Sequence, residues 1–314
     1  MKKFSLFLIA QLFCCGLVFS QNPRWKMVDE KPIPAHADLD VRWEASTTNV
    51  PLTIKTYRLL PERFSGDVIS NVVEMCSLSD KDKKEQGTNA VVFQSSTGAR
   101  KLFVSLASGT IHYEIPEPQY GPKKLAEGVP EMNQLPKLAT NFLKQIGIPI
   151  SDVTGYFGTD TFNFSEPLTM YYVGDTTITN IGFRSVKFRR SVDGIPVVGG
   201  DGGGFDVGEH GKIIKIDIVW HNLEPGESYP TVPKGTIMGF LRQGKAFQGL
   251  LPMSIGEIDW KTIKSVTITK ALPCYFAGSS NRLIPFLVLF TTIDNGHESM
   301  DVQIECPVID EAKL

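Results

Sequence analysis

The stretch DGIPVVGGDGGGFDVGEHGKIIKIDIVWHNL, residues 193–223, decides the fold of this chain. Asp193-Gly194 separates two apolar runs, which is typical of a two-residue β-hairpin whose turn residues both take φ > 0. Six of the twelve residues from 199 to 210 are glycine. An alternating, isoleucine-rich run follows and indicates a further strand. The stretch therefore predicts antiparallel strands joined by short turns.

The glycine cluster does not have the context of a phosphate loop, which needs a helix directly after the glycines. A strand follows instead, and no Gly-Lys-Ser/Thr occurs. A calcium-binding nonapeptide repeat would need Asp where Gly204 stands, and only one copy is present. We expect the glycines to turn a corner in a sheet, with a bulge, a bend or a close approach by neighbouring backbone. An alternative is open backbone over residues 199–204 to which a peptide strand adds.

The rest of the chain alternates single helices with runs of strands. Helical spacing of apolar residues predicts helices within 65–78, 133–148 and 236–247. The second and third contain similar four-residue runs, FLKQ at 142–145 and FLRQ at 240–243, which is weak evidence for a repeat. The pattern predicts an α+β protein with antiparallel sheets, each packed by a helix, in two to three helix-then-meander modules. The predicted segments are a signal peptide at 1–20, an irregular lead-in at 21–50, an N-terminal α+β module at 51–120, and further modules at 121–230 and 231–314.

The first residues predict export. Lys2 and Lys3 precede an apolar run, residues 4–18, that is shorter than the ~20 residues needed to span a bilayer. Cleavage after Ser20 is the favoured interpretation, with a retained anchor or lipidation at Cys15 as alternatives. Cleavage leaves 30 basic and 34 acidic residues, a net charge of −4. We therefore expect a secreted or periplasmic protein with no nucleic-acid partner and no stable membrane insertion.

Three cysteines remain after cleavage: Cys76, Cys274 and Cys306. Exported proteins often oxidise their thiols, and Cys274 and Cys306 both lie in the strand-rich C-terminal part. We predict a possible disulfide between these two. The alternative is three buried thiols that act as small apolar residues.

Catalytic motifs are sparse. The chain has no Gly-x-Ser-x-Gly and no His-Glu-x-x-His, and its five histidines are dispersed. His112 alternates with apolar residues on a predicted strand and fits a surface face. Residues 36–40 offer three possible metal ligands, but a solvated polar run is the favoured interpretation. We predict no catalytic, cofactor or metal site, and hence a protein that is not an enzyme.

Part of the chain resembles the PepSY family of modules. In these modules an Ala-x-x-Phe/Leu-Leu helix precedes an Asp-Gly-Ile/Val-Pro-Val hairpin and a Gly-Lys-Ile turn. The matching residues are Ala139, Phe142, Leu143, Asp193, Gly194, Pro196, Val197, Gly211, Lys212 and Ile213. The tail, with Tyr275 and Ile284-Pro285-Phe286, is similar to a closing module. Tandem modules of this kind occur in YycH/YycI-type regulators of sensor kinases, and single ones in peptidase propeptides. The likeness covers about residues 133–310.

This resemblance implies a non-enzymatic module that binds or inhibits another extracytoplasmic protein: a peptidase, an envelope protein or a sensor ectodomain. Lys187 and Arg189 alternate along a strand, so they share a face and could hold a carboxylate. The candidate interaction residues are Lys187, Arg189, Asp193, Gly194, Gly202, Gly203 and Trp220. One alternative is a binder of a small ligand or envelope polymer on a sheet face, with Trp220, Tyr171, Tyr172 and Arg189. Another is a hydrolase whose site is assembled from distant residues.

Overall fold

A computed structural model of the protein describes ten ranges: 31–46, 50–60, 64–87, 89–116, 120–121, 124–155, 160–173, 175–249, 258–277 and 281–309. The predicted signal peptide lies outside them. The helices are α1 (Gly66–Met75), α2 (Leu135–Gln145) and α3 (Lys234–Gln243). The strands are β1 (Asp40–Trp43), β2 (Thr53–Leu60), β3 (Lys83–Gln86), β4 (Ala90–Gln94), β5 (Lys101–Ser105), β6 (Thr110–Glu114), β7 (Val153–Thr154), β8 (Asn163–Ser165), β9 (Leu168–Val173), β10 (Thr176–Ile181), β11 (Arg184–Val192), β12 (Ile195–Val198), β13 (Gly202–Val207), β14 (Ile213–Val219), β15 (Asn222–Pro230), β16 (Phe247–Gln248), β17 (Ser265–Ala277), β18 (Arg282–Asp294) and β19 (Ser299–Pro307).

Local chemistry sets the helix ends, and the three predicted helices are confirmed. The Ser65 hydroxyl accepts a hydrogen bond from the Val68 N–H at 3.3 Å and caps α1. Gly147 follows α2 with φ 74°, and Gly244 ends α3 in the left-handed region. Each helix buries one apolar face, as Phe142 of α2 does against Phe205 of β13 with ring centroids 4.3 Å apart.

The first half of the sheet is antiparallel throughout. Its strands run in the order β3, β4, β5, β6, β14, β13 and β11, and both β7 and β8 pair with the outer side of β11. Helices α1 and α2 cover one face. Their apolar side chains join those of β4–β6, β11, β13 and β14 in one hydrophobic core.

The second half is built on the 13-residue strands β17 and β18, which pair antiparallel. Strands β1 and β12 pair parallel with opposite ends of β17, while β19 and β2 pair with opposite ends of β18. Strand β15 pairs antiparallel with β2, and β16 pairs antiparallel with β19. Helix α3 packs into a second core through Ile237 and Leu241. Residues 21–50 were predicted to be irregular; Asp40–Trp43 is instead a strand because Val41 joins this core.

Two segments carry the chain from the first half to the second. The first is the β11–β12 hairpin, whose turn residues Asp193 and Gly194 have φ of 53° and 76°, so the two-residue turn is confirmed. Beyond that turn, β12 pairs with β17 of the second half. The second segment is Trp220-His221, after which β15 pairs with β2. The two crossings therefore leave from β11 and β14, the strands that flank β13.

The predicted α+β fold is wrong. In the described part of the chain, 17 of the strands form one continuous mixed sheet, β9 and β10 form a separate ribbon, and only three short helices accompany them. The expected arrangement of separate modules, in which each sheet is packed by its own helix, is wrong for the same reason. The reason is long-range pairing: β1 and β2 pair with strands more than 200 residues later. The boundaries near residues 120 and 230 stay predictions, since both cores draw on several of the predicted segments.

Candidate functional site

The first half of the sheet has a second face, opposite α1 and α2, on which polar side chains reach solvent. We call it the open face. Two shallow cavities of about 570 and 580 Å³ lie along it. The side chains and glycines that define the open face are Lys101, Phe103, His112, Glu114, Lys187, Arg189, Gly202, Gly204, Asp206, Lys215 and Asp217.

Strand register makes a trough across this face. Residues His112, Asp217, Gly204 and Lys187 stand side by side on β6, β14, β13 and β11. Two residues further along β13, Gly202 stands beside Arg189 on β11. Since glycine has no side chain, Gly204 and Gly202 leave a low floor on β13. The cations of β11 form one wall of this trough, and β14 with β6 forms the other.

The glycines in β13 are required by the close approach of neighbouring backbone. A Cβ on Gly204 would lie 2.3 Å from the Val186 carbonyl oxygen, and one on Gly202 would lie 2.8 Å from that of Phe188. Strand β13 is paired with β11 on one side and β14 on the other. Its main-chain groups are therefore already used, and the alternative of a peptide strand adding to the open glycine backbone is wrong for residues 202–204.

On the wall formed by β14 and β6, the Asp217 carboxylate contacts two basic side chains. Its Oδ1 lies 2.5 Å from His112 Nδ1, and its Oδ2 lies 3.4 Å from Lys215 Nζ. This carboxylate raises the pKa of Lys215. Burial raises the pKa of Asp206, which is partly opposed by its hydrogen bond with Ser185. The open face thus presents both signs of charge at fixed spacings, which favours recognition of a polar, extended chain.

A buried polar network lies beside the trough where the chain changes halves. Asp201 is fully buried, and its Oδ2 accepts from the Arg190 guanidinium at 2.7 Å and from the His221 N–H at 3.2 Å. The His221 imidazole also pairs with Asp201, and Arg190 donates to the His221 carbonyl. The Arg190 guanidinium lies 4.6 Å from the centre of the Trp220 ring. Because Asp201 and Arg190 form an ion pair inside the protein, we interpret this network as a structural joint.

The structure separates the predicted interaction residues into two groups. Lys187, Arg189 and Gly202 line the open face, whereas Gly203 pairs with Phe188 and Ile218, whose side chains belong to the core on the other face. Asp193, Gly194 and Trp220 do not belong to it.

Asp193 and Gly194 form the turn between β11 and β12, where the Tyr57 hydroxyl donates a hydrogen bond to the Asp193 carboxylate. Trp220 was predicted to contact a partner, but it is 6% exposed because it belongs to the hydrophobic core of the first half and packs against Arg190. The prediction for Trp220 is therefore wrong.

Sequence reasoning missed the wall formed by β6 and β14. His112 was predicted on a surface face, but its pairing with Asp217 was not. The available signal was alternation: His112 and Glu114 on one strand, and Lys215 and Asp217 on another, are polar at every second residue. Alternation identifies an exposed face, yet it does not say which two strands become neighbours.

The predicted Cys274–Cys306 disulfide is absent. Cys274 lies on β17 and Cys306 on β19, and β18 runs between them with Phe286 and Leu287 as their respective partners. Two strand spacings amount to about 9.6 Å, well beyond the Cα separation that a disulfide bridges. Both cysteines are buried and free, as is Cys76, which agrees with the alternative of three apolar thiols. Burial raises the pKa of Cys274 to about 12.

Metal-ligating residues do not cluster in the described ranges, where no group of three or more His, Cys, Asp or Glu side chains could hold an ion. No helix within those ranges is long and apolar enough to cross a membrane. The expectations of no cofactor and of no enzymatic activity stay predictions.

Comparison with known proteins places the chain in no family. No family model and no curated protein sequence matches it. A solved structure, that of an uncharacterized protein from Eubacterium rectale, is similar with a TM-score of 0.45 and 11% sequence identity, covering 85% of this chain and 86% of that chain. A likeness of this degree carries no argument about function, and the PepSY resemblance stays a prediction.

Proposed function

We propose that this protein is an exported, non-catalytic binding module that holds an extended segment of another extracytoplasmic protein on its open face. The observation that carries the proposal is the trough in which Gly204 separates Lys187 from Asp217. Main-chain crowding forbids a side chain at Gly204, so the depth of the trough is fixed by the sheet itself. The export component rests on the predicted signal peptide.

The shape and charge of the trough specify the kind of segment that fits. Its walls are low and open to solvent, which suits a chain laid across the strands rather than an enclosed small molecule. Lys187 and Arg189 favour an acidic side chain or a carboxylate of the partner. Asp217 on β14 and Glu114 on β6, two and three strands away from β11, favour hydrogen-bond donors and cations. A segment with an acidic end and a basic end therefore complements both walls.

The non-catalytic part of the proposal is supported by where the reactive groups lie. The three described cysteines are buried away from the open face, and burial raises the pKa of each thiol. His221 is held with Asp201 in the buried joint, and His112 is paired with Asp217 at the surface.

The alternative of a polymer binder required Trp220, Tyr171, Tyr172 and Arg189 to form a platform. Because Trp220 packs inside against Arg190 while the two tyrosines lie on the β9 strand of the separate ribbon, we give this alternative less weight.

The test is a pair of matched charge reversals. Lys187→Glu changes the open face, and Lys144→Glu changes another exposed lysine on α2, on the opposite side of the same half. We expect Lys187→Glu to weaken capture of the partner from the exported fraction of the native cells by about tenfold, with Lys144→Glu unchanged. Equal capture by both variants would overturn the open face as the binding surface. Turnover of a peptide, ester or glycoside substrate that is lost in His112→Ala would overturn the non-catalytic assignment.

A further inference from the structure

One row of residues crosses the open face and is charged at one end and apolar at the other. Strand register sets Lys187, Gly204, Asp217, His112 and Phe103 side by side on β11, β13, β14, β6 and β5. Lys187, at the charged end, is exposed. Phe103, at the other end, lies just beyond the wall formed by β14 and β6. The row therefore offers two different contacts to a segment that lies along it.

The apolar end of the row belongs to the open face and not to a core. Leu102 and Val104 flank Phe103 on β5, and both join the core under α1 and α2, so Phe103 lies on the opposite side of the strand. Val92 on β4 pairs with Phe103 and shares its face. Both residues are half-buried, and Phe103 lines the cavity of about 580 Å³ beside the β4–β5 loop. An apolar side chain of a partner could lie in this cavity against Phe103.

The distance between the two ends limits which residues of one segment can reach both. Four strand spacings separate β11 from β5, which amounts to about 19 Å. An extended chain advances about 3.3 Å per residue and a polyproline II chain about 3.1 Å, so about six residues cover this distance in either conformation.

The direction of the side chains gives the same spacing. Side chains repeat every two residues in an extended strand and every three in polyproline II, so residues six apart point to the same side of the segment in both. Residues five or seven apart point to different sides. A segment can therefore place two side chains on Lys187 and Phe103 together only when about six residues separate them.

We propose that the segment held on the open face carries an acidic residue at Lys187 and, six residues before or after it, an aliphatic or aromatic residue on Phe103. This inference rests on the proposed function and adds the sequence pattern that the open face selects. The Lys187 ammonium favours a carboxylate, and Phe103 with Val92 favours an apolar side chain. A segment that carries charged residues alone leaves the apolar end of the row unused.

Synthetic peptides test the inference with the purified chain of residues 21–314. Each peptide has blocked ends, a fluorescent label, a Gly/Ser background, and one Glu and one Leu that are five, six or seven positions apart, in both orders. Fluorescence anisotropy measures the Kd of each peptide. We expect a peptide with a spacing of six to bind at least about fivefold more tightly than those with five or seven, because only it places both side chains on the sheet.

Three variants assign the two contacts. Phe103→Ala is expected to remove the preference for a spacing of six. Phe103→Leu keeps an apolar side chain and should keep the preference, so the pair separates the contact from any general effect on the fold. Lys187→Glu is expected to remove the advantage that a peptide with Glu has over the same peptide with Gln, at every spacing.

Equal Kd values at the three spacings, or no binding of any peptide, would overturn the inference, and so would a preference for six that persists in Phe103→Ala. Failure of the proposed function has a different signature, because it is decided by capture of the partner with Lys187→Glu and Lys144→Glu. An advantage of Glu over Gln that Lys187→Glu removes, without any preference for spacing, would overturn the six-residue pattern alone and leave the open face as the binding surface.

Discussion

The Arg190 guanidinium lies 2.7 Å from the carboxylate of Asp201, a residue with no solvent exposure, at the place where the chain passes between the two halves of the sheet. Asp201 lies in the loop between β12 and β13, and Arg190 lies on β11. The His221 N–H and imidazole complete the surroundings of the same carboxylate. The joint therefore links three segments that come together only in the folded chain.

Arg190→Ala is expected to destabilise the protein by about 3–5 kcal/mol, because it leaves the Asp201 carboxylate buried without its cation. Urea denaturation measures the change. Arg42→Ala is the matched control: Arg42 pairs with Asp40 at the surface, with side chains 64% and 50% exposed, and its loss costs about 0–1 kcal/mol. Equal effects of the two substitutions would contradict the role of the joint.

Gly204→Ala is expected to destabilise the protein by about 3 kcal/mol or more, the upper end of what overpacking costs, because the new Cβ meets the Val186 carbonyl at 2.3 Å and backbone cannot move aside cheaply. Gly235→Ala serves as the control. Gly235 is in α3 with no atom within 4 Å of an added Cβ, so alanine there stabilises by about 0.5–1 kcal/mol. Thermal unfolding compares the two. A well-tolerated Gly204→Ala would mean that the trough floor is not fixed by strand crowding.

Part of the fold could be predicted from local sequence chemistry. The Asp193-Gly194 turn, the Ser65 cap and the Gly147 helix end follow from neighbouring residues alone, and all three are found in the structure. Part of one wall of the trough, Lys187 with Arg189, followed from alternation along one strand.

The remainder depends on pairings between distant segments. The parallel contact of β12 with β17 joins residues about 80 apart, and no local pattern specifies it. The pairing of His112 with Asp217 in the trough, which was not predicted, joins residues that are 105 apart in sequence. The burial of Trp220 was not predicted because it depends on core residues and on Arg190, which other segments of the chain supply.

Alkaline conditions are expected to weaken the fold through Cys274. Burial, with a smaller contribution from Glu305, raises its pKa from 9.0 to about 12, so the native state keeps the proton that the unfolded state loses first. This contribution to stability is complete below pH 9 and is lost as the pH rises from 9 toward 12, by roughly 1.4 kcal/mol per pH unit. Urea midpoints between pH 7 and about 10.5 measure it.

Cys274→Ala removes this thiol and is expected to flatten the curve above pH 9. Other buried groups with raised pKa values, such as Tyr113 at about 12, lower the stability of both proteins as the pH rises. The difference between the two curves therefore isolates Cys274. Parallel curves would contradict a native thiol held neutral by burial.

Thiol counting tests the cysteine assignment directly. We expect a chain of residues 21–314 to react slowly with Ellman's reagent when it is folded, because Cys76, Cys274 and Cys306 are buried and free. Unfolding in denaturant without reductant should then release three thiols per chain of residues 21–314. A count of one would mean that two cysteines are bonded and would contradict the separation of β17 from β19.

The central claim is that the open face holds another protein, and site-specific photo-crosslinking in the native cells tests it most directly. A photoreactive residue replaces Lys187 in the trough or, as the control, Lys144 on α2; both lysines are exposed. The account predicts one dominant crosslinked protein from position 187, mapped to an extended segment with acidic residues, and none of it from position 144. Equal crosslinking from both positions, or the partner from 144 alone, would contradict the claim.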